Sequence, residues 1–379
     1  MSDVFVAGID MIRFGRYPEK TVVQLAAEAA LLALDDCGVG IGDVQAMYSG
    51  NIGEPMTGQR TLQLIGQNGI PVVNCTNACA TGATAFREGW MAIKAGEYDV
   101  VLCVGVEKMG GGMLVKKKVG NEPLGAEGVI GSETMPAVFS TAALEHSRRY
   151  GTTFRQFAQV SVKNHHHSTL NPKAMYRKET PLEEVMASEM IAYPNTKLMC
   201  SVNVDGAAAA VLMSARRVRE LGLQRRALRV RASALASDPW SERNQMMQDI
   251  NTVTRLAAQR AYEAAAIGPA DLSLVELHDC FATAEILHYE NLGLCAEGEG
   301  GPLIDSGATV LGGRLPVNVS GGLLSKGHPL GATGIANLCE VALQLRGEAG
   351  ARQVAGARLG LAHVVGLGSA CAIHILERA

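Results

Sequence analysis

Cys79 is the residue whose neighbours point most directly to chemistry. It lies in Asn77-Ala-Cys-Ala-Thr-Gly-Ala83, where a short polar segment leads into an Ala-rich stretch that is typical of a helix. At a strand-to-helix turn, a cysteine meets the outward-pointing N–H groups of the first helical turn, and these groups and the helix dipole favour a thiolate. The segment therefore predicts a nucleophilic thiol. The alternative is a small buried cysteine in an Ala-rich helix.

His278 and Cys280 form a second candidate group, in His278-Asp-Cys-Phe281 directly after the apolar run 272–277. Residues just beyond a strand end are well placed for sites in α/β sheets. If the extended chain continues, the two side chains point to the same side. The alternative is a strand end with polar residues of no chemical role.

His328 lies in a glycine-rich loop, Gly321-Gly-Leu-Leu-Ser-Lys-Gly-His-Pro-Leu-Gly-Ala-Thr-Gly334, that leads into a second Ala-rich stretch. Such a loop can hold an imidazole rigidly beside a cavity. It resembles a phosphate-binding glycine loop but lacks the Walker pattern and the GxGxxG spacing. The alternative is a tight turn in which His328 acts as a cap.

Together these segments supply two thiols and two imidazoles, each on a turn after an apolar strand. A cysteine beside a histidine is a standard arrangement for nucleophilic catalysis, and the second cysteine and histidine distinguish this chain from a simple cysteine hydrolase. The run His165-His-His167 is a weaker feature. Consecutive helical residues point in different directions, so we predict no metal site there.

Short apolar runs alternate with longer Ala-rich amphipathic stretches, which indicates an α/β protein with crossover connections. The predicted strands are residues 4–9, 44–49, 100–106, 228–235, 272–277, 359–365 and 370–376, and the predicted helices are residues 21–36, 79–95, 252–266 and 331–345. The two central helices begin with similar sequences, Cys-Ala-Thr-Gly at 79–82 and Gly-Ala-Thr-Gly at 331–334. This similarity suggests a duplication. We therefore expect an N-terminal half at 1–110, a helical and loop-rich insertion at 111–215, and a C-terminal half at 216–379.

Composition excludes several classes of function. The chain has 379 residues, 47% hydrophobic and 19% charged, with a net charge of −3, which argues against a nucleic-acid partner. Its nine cysteines are scattered without a CxxC pair, which argues against a zinc ribbon and favours a reducing compartment. There is no signal-like N-terminus and no apolar run that could cross a bilayer. We expect a cytoplasmic protein without membrane association.

The three motifs, in this order, resemble those of the thiolase superfamily, and the His-Asp-Cys-Phe form at 278–281 resembles its sterol-carrier-protein-2-type members. Residues 95–102, 201–210 and 362–376 fit the same family, so the resemblance covers essentially the whole chain. It implies a thiolase fold. This fold has two similar βαβαβαββ halves in α-β-α-β-α layers, with a helical and loop insertion in the first half.

The resemblance also implies a role for each site residue. Cys79 would be the nucleophile that accepts the acyl group, and His328 would activate its thiol. Cys280 would exchange a proton with the α-carbon of an acetyl thioester, and His278 would donate a hydrogen bond to the enolate oxygen. The backbone N–H groups of Cys79 and Gly366 would form the oxyanion site of the acyl-enzyme.

One departure from the better-known thiolase pattern concerns a catalytic cysteine before the last glycine cluster. By the same resemblance the matching position here is near Val364, where the chain has no cysteine, and Cys280 would replace the missing thiol. Cys371 follows the turn in the last predicted strand, where we expect a structural role.

Coenzyme A and acyl-CoA are the implied substrates, with no permanently bound cofactor. Ser201 matches a position near the pantetheine in relatives. Lys116, Lys117 and Lys118 could face the nucleotide phosphates, or they could form a solvated basic face. The family also implies a homodimer or homotetramer, and some relatives require a small OB-fold partner protein.

The leading functional hypothesis is a thiolase that exchanges acyl-CoA plus acetyl-CoA with 3-oxoacyl-CoA plus free CoA. A second is a thiolase-fold aldolase or acyltransferase of the lipid-transfer type, although such relatives often lack the nucleophilic cysteine. A third is a non-catalytic lipid-binding scaffold. The presence of both thiols and both imidazoles speaks against a scaffold.

Overall fold

The computed structural model describes residues 3–110, 135–240, 242 and 249–378, and one large mixed sheet runs through it. The strands are β1 (Val4–Met11), β2 (Ala46–Gly50), β3 (Val72–Cys75), β4 (Val100–Glu107), β5 (Met190–Ala192), β6 (Asn195–Thr196), β7 (Gly206–Ser214), β8 (Leu228–Ala236), β9 (Leu274–Glu276), β10 (Leu359–Gly366) and β11 (Ala370–Arg378). The helices are α1 (Val22–Cys37), α2 (Thr57–Ile65), α3 (Thr81–Ala95), α4 (Met135–Tyr150), α5 (Phe154–Thr169), α6 (Leu182–Ala187), α7 (Ala215–Glu220), α8 (Asn251–Ala265), α9 (Ala282–Asn291), α10 (Gly300–Asp305) and α11 (Thr333–Arg346).

The sheet consists of two similar halves that meet where β1 pairs with β8. The first half has the order β3-β2-β4-β7-β1, and the second has β9-β10-β11-β8. In each half the outer strands are parallel and the inner ones antiparallel. A single parallel bridge between Val275 and Val317 takes the place of β3 in the second half. The α/β class and the two similar halves expected from the sequence are confirmed.

The helices lie in three layers around these strands. Helix α1 covers one face of the first half, against β1, β7 and β4, and α8 covers the second half, against β8 and β11. Helices α3 and α11 lie between the two halves and contact strands of both. The sequence explains this central position, because both helices carry small residues where buried backbones must approach each other.

The contact between α3 and α11 is made by backbone atoms. A Cβ on Gly82 would lie 2.4 Å from the carbonyl oxygen of Gly331, and a Cβ on Gly334 would lie 2.4 Å from the backbone nitrogen of Ala83. Gly82 and Gly334 are the matching glycines of the two similar tetrapeptides. The duplicated sequence thus marks the point at which the two halves touch.

Some element boundaries differ from the sequence-based expectations. Helix α3 begins at Thr81 rather than at Cys79, and α11 begins at Thr333 rather than at residue 331, since the preceding residues form turns. Strand β7 falls inside the stretch 111–215 assigned to the insertion, yet it pairs with β4 and β1 in the main sheet. Its Ala-rich sequence lacks the alternation that identifies a strand, because both of its faces are buried.

The remaining described part of that stretch contains α4, α5, α6 and the β5–β6 hairpin, as expected of a helical and loop-rich insertion. Lys116, Lys117 and Lys118 lie outside the described residues. Across the described ranges, none of the helices is both long and apolar enough to cross a membrane.

The central helix contact can be tested with Gly334→Ala. An alanine inside a helix normally stabilises by about 0.5–1 kcal/mol relative to glycine. Here the added methyl group meets the α3 backbone, so we expect a loss of about 1–3 kcal/mol in the free energy of unfolding, measured by urea denaturation. Gly42→Ala is the matched control, because a Cβ there meets nothing within 4 Å. Equal or greater stability of Gly334→Ala would contradict the contact.

Candidate active site

A cavity of about 260 Å³ lies beside the N-terminal turn of α3. Its lining residues are Ile52, Ala78, Cys79, Met135, Phe139, Ser201, Asn203, His278, Cys280, Phe281, His328, Leu330 and Leu367. The structure therefore brings five of the six predicted site residues to one cavity wall. The sixth, Gly366, immediately precedes the lining residue Leu367.

A tight turn presents Cys79 to this cavity. The residue before it, Ala78, has φ 47°, in the left-handed region that costs a non-glycine residue about 1–3 kcal/mol. Hydrogen bonds hold this conformation. The Thr81 hydroxyl donates to the Ala78 carbonyl (2.6 Å) and accepts from the Asn77 N–H (2.8 Å), and the Ala80 N–H donates to the Asn77 carbonyl (3.0 Å). The strained turn lifts the Cys79 side chain out of the helix and into the cavity.

The Cys79 thiol is protonated at rest. Burial raises its pKa to about 12, and the nearby Glu107 carboxyl acts in the same direction. The backbone N–H groups of Cys79 and Leu367 oppose this shift, because they donate toward the sulfur. The N–H groups at the helix terminus favour a thiolate, as the sequence analysis expected, but desolvation has the larger effect on the pKa of Cys79. For Cys79 to act as a nucleophile, a base would have to remove this proton.

Gly366, at the end of β10, lies close to the turn that carries Cys79. A Cβ at this position would be 2.3 Å from the Asn77 carbonyl oxygen. A glycine is needed here for the strand end to approach the turn, and this approach brings the following N–H, that of Leu367, toward the Cys79 sulfur.

His328 is oriented by the first turn of α11. The Thr333 hydroxyl donates its proton to the Pro329 carbonyl (3.0 Å), so it accepts from Nδ1–H of His328 (2.8 Å). This leaves Nε2 of His328 unprotonated, and Nε2 has no hydrogen-bond partner among the described residues. Burial, together with the positive charge of Lys326, lowers the pKa of His328 to about 3. The imidazole is therefore neutral and able to accept a proton at neutral pH.

His278 lies edge-on to His328, with ring centroids 5.1 Å apart and planes at 77°. Its backbone N–H donates to Nδ1 of His363 (3.4 Å). Burial, followed by the neighbouring imidazoles, holds the pKa of His278 well below its usual value. One nitrogen of His278, one of His328 and the Cys79 sulfur all lie within 4.8 Å of one another.

Cys280 supplies the second thiol of the cavity. Burial raises its pKa well above the ordinary value, and the nearby Cys79 adds to this effect. Its carbonyl oxygen accepts from the Ser201 N–H (2.9 Å), which fixes Ser201 beside it. The cavity thus holds two neutral thiols and two neutral imidazoles, a set suited to moving protons without placing a lasting charge in an apolar space.

Buried carboxyl groups hold the two histidine-bearing loops together. Asp279 accepts from the Leu323 N–H (2.7 Å) and from the Asn164 side chain (2.7 Å), and Glu276 accepts from the backbone N–H (3.0 Å) and hydroxyl (2.5 Å) of Ser320. Each bond joins the strand end at 276–279 to the glycine-rich loop or to α5. The sequence analysis named neither acid as a site residue, although Asp279 stands inside the recognised motif.

Glu107 is another residue that the sequence analysis missed. It is buried at the end of β4 and accepts from the backbone N–H groups of Ile52 (3.1 Å) and Gly53 (3.3 Å), which positions the cavity wall at Ile52. The sequence pattern could have identified Glu107, because this residue follows an unbroken apolar run in the same way that His278 does.

The histidine run on α5 has a structural role. His165 is hydrogen-bonded to the Ser325 hydroxyl (3.0 Å). His167 donates from Nδ1 to the Asn318 carbonyl (3.0 Å) and accepts at Nε2 from the Leu311 N–H (3.0 Å). These rings therefore brace the loops behind the cavity.

Comparison with known proteins gives consistent results. Residues 4–192 match the family "Thiolase, N-terminal domain", and residues 236–378 match "Thiolase C-terminal domain-like". The chain is 40% identical to acetyl-CoA acetyltransferase of Methanothermobacter thermautotrophicus, covering 100% of both proteins. It is also 40% identical to sterol carrier protein 2 of Oryctolagus cuniculus, over 99% of this chain and 72% of that protein. A solved structure, the Ltp2-ChsH2(DUF35) aldolase, shares the fold with a TM-score of 0.83 at 23% identity, covering 99% of this chain and 98% of that one.

The protonation state of Cys79 predicts how its alkylation depends on pH. With a thiol pKa of about 12, the rate of Cys79 carbamidomethylation by iodoacetamide should rise about tenfold per pH unit between about pH 6 and 9, without a plateau. Mass spectrometry of the Cys79 peptide measures this rate. A small cysteine peptide in the same tube, with a thiol pKa near about 8.5, should level off above about pH 9. A plateau for Cys79 below neutral pH would reveal a resting thiolate instead.

Proposed function

This chain belongs to the thiolase family and has its fold, and on that basis we propose that it transfers acyl groups between Cys79 and coenzyme A. In the degradative direction it would cleave a 3-oxoacyl-CoA with free CoA, and in the other it would condense two acyl thioesters. The observation that supports this proposal is the convergence of two neutral thiols and two neutral imidazoles in one cavity. The similarity to an acetyl-CoA acetyltransferase over the full length of both chains agrees with it.

In the proposed cleavage, Nε2 of His328 takes the proton of Cys79 as the sulfur attacks the 3-oxo carbonyl carbon. The negative charge on the carbonyl oxygen is stabilised by backbone N–H groups, for which we propose Cys79 and Gly366 from the family pattern. Leu367 is the neighbouring donor that faces the sulfur. Loss of one such donor typically costs about 3–4 kcal/mol of transition-state stabilisation.

The carbon–carbon bond then breaks, and the electron pair passes to the acetyl-CoA fragment as an enolate. His278, assisted by His328, donates a hydrogen bond to the enolate oxygen, and Cys280 protonates the α-carbon to give acetyl-CoA. Free CoA, whose thiol proton passes to Cys280, next attacks the Cys79 thioester and releases the shortened acyl-CoA. The leaving Cys79 sulfur takes back the proton held by His328, which restores both thiols. The four side chains that this cycle requires all line the cavity.

Coenzyme A would reach Cys79 with its pantetheine arm beside Ser201, the lining residue that is tied to Cys280. We propose that it acts as a substrate and that no cofactor is held permanently. Cytoplasmic location and a homodimeric or homotetrameric assembly belong to the same proposal.

A second candidate function is the aldolase type, in which a small OB-fold partner completes the enzyme. The structural neighbour, an Ltp2-ChsH2(DUF35) aldolase, motivates this candidate. The presence of Cys79 on its strained turn favours acyl transfer instead, because an aldolase cleavage needs no acyl-enzyme.

Thiolysis of acetoacetyl-CoA by free CoA tests the proposal. We expect the purified protein to consume the 3-oxoacyl thioester, and we expect Cys79→Ala to lose at least about 10³-fold in rate, because the nucleophile is gone. Cys295→Ser is the matched control, since this half-buried thiol lies outside the cavity.

Mass spectrometry after incubation with the substrate alone should show an acetyl group on Cys79. If neither turnover nor an acyl adduct appears with short or long substrates, the acyl-transfer proposal is wrong. Cleavage of a 3-hydroxyacyl-CoA into a carbonyl compound and a shorter acyl-CoA that survives Cys79→Ala would favour the aldolase type.

The shape of the cavity suggests a preference for an acyl group larger than acetyl, because much of its wall is apolar. Phe139 of α4 and Phe281 stack in a tilted contact, 5.1 Å between ring centroids, and both line the cavity with Leu330. A volume of about 260 Å³ exceeds what a two-carbon group fills.

Phe139→Leu should therefore shift the preference toward longer 3-oxoacyl-CoA substrates. We expect the ratio of kcat/KM for longer over shorter chains to rise roughly fourfold for each methylene newly accommodated, from about 0.8 kcal/mol per buried CH₂. Phe154→Leu is the control, because this ring packs against Tyr193 outside the cavity. An unchanged ratio would show that Phe139 does not limit the acyl group.

A further inference from the structure

We propose that the resting cavity is also a binding site for a single thiophilic divalent cation of the Zn²⁺ class, held by Cys79, His278 and His328. An ion bound there would occupy the nucleophile and the base, so the protein would be reversibly blocked from acylation. This property goes beyond the proposed acyl transfer, whose chemistry uses no metal.

The three potential ligand atoms are already grouped. The Cys79 sulfur and one nitrogen from each histidine all lie within 4.8 Å of one another. Zn–S bonds are about 2.3 Å long and Zn–N bonds about 2.0–2.1 Å, so the ligand atoms of a tetrahedral ion lie about 3.3–3.6 Å apart. Each pair of ligand atoms must therefore move closer by at most about 1.5 Å. Rotation of the half-buried Cys79 side chain at the cavity wall can supply much of this approach.

Each of the two buried imidazoles has a ring nitrogen without a partner among the described residues. Nδ1 of His278 and Nε2 of His328 have no hydrogen-bond partner among the described residues, although the two side chains are 1% and 5% exposed. A buried polar atom without a partner is uncommon in proteins, and a ligand is one explanation for it. Both rings are neutral, which is the form that coordinates a metal.

The surroundings of His328 match the pattern found around metal-bound histidines. In such sites the second ring nitrogen usually donates to a protein oxygen, which fixes the tautomer and turns the free nitrogen toward the metal. Here Nδ1–H of His328 donates to the Thr333 hydroxyl, which is itself held by the Pro329 carbonyl. The arrangement that prepares Nε2 to accept a proton prepares it equally to bind a cation.

The ligand set selects the kind of ion. One thiolate and two imidazoles suit Zn²⁺ and similar borderline ions, and they do not suit Mg²⁺ or Ca²⁺, which prefer oxygen ligands. Three protein ligands leave the fourth position to a water molecule, as in open zinc sites, and the cavity has room for it. Binding converts the Cys79 thiol into a thiolate, so one proton passes to the solvent for each ion bound.

Calorimetric titration of the purified, metal-free protein with Zn²⁺ tests this site. We expect one ion per chain and, from titrations in buffers of different ionisation enthalpy, release of one proton per ion. Cys79→Ser and His278→Asn should each weaken binding by at least about 100-fold, since even loss of a group that supports a metal ligand costs about 10–100-fold. Cys295→Ser and His166→Gln should bind as the native protein does, because these side chains lie away from the cavity.

A second measurement uses the native chain and therefore does not require any variant to fold. Saturating Zn²⁺ should protect Cys79 of the native chain from iodoacetamide by at least about tenfold, and Mg²⁺ should not. Undiminished binding by Cys79→Ser, loss of binding in His166→Gln, or undiminished alkylation of Cys79 under Zn²⁺ would overturn the proposal. None of these readouts requires acyl transfer, so the metal site and the proposed activity are tested independently of each other.

Discussion

The backbone contact between the two central helices is the constraint on which the rest of this structure depends. Gly82 of α3 and Gly334 of α11 allow the helices to touch without side chains between them. Cys79 and His328 each stand in the turn before one of these helices. Because the helices meet near their N-terminal ends, both turns open onto the same cavity. A wider spacing of the helices would separate Cys79 from His328.

Burial then decides how the site works. Apolar surroundings raise the pKa of both cavity thiols and lower the pKa of both imidazoles, so these four side chains favour their neutral forms. A charge in such a space is unfavourable unless hydrogen-bond donors already point toward it. The N–H groups near the Cys79 sulfur provide that stabilisation. In the proposed reaction, proton transfer is coupled to acylation, and the ring nitrogens without a partner among the described residues are the ones proposed to bind a divalent cation.

Buried acids add a polar network to the apolar core of the second half. Burying the carboxyl groups of Glu276 and Asp279 away from water costs free energy. Hydrogen bonds to each carboxyl group offset this cost. These bonds connect the strand end that carries His278 to the loop that carries His328. The separation of the two imidazoles is therefore fixed by a polar network that surrounds the cavity without lining it.

The sequence by itself determined much of this protein. Its alternating apolar and Ala-rich segments predicted the α/β class, its similar tetrapeptides at 79–82 and 331–334 predicted the duplication, and its motifs named the four chemical side chains that the structure brings together. These features depend on local periodicity and on residue identity, which a sequence contains directly. The protonation state of Cys79 and the supporting acids Glu107 and Glu276 were decided by tertiary structure alone. Each of these features depends on desolvation or on a hydrogen bond between segments distant in the chain. Both effects arise only once the chain has folded around the site.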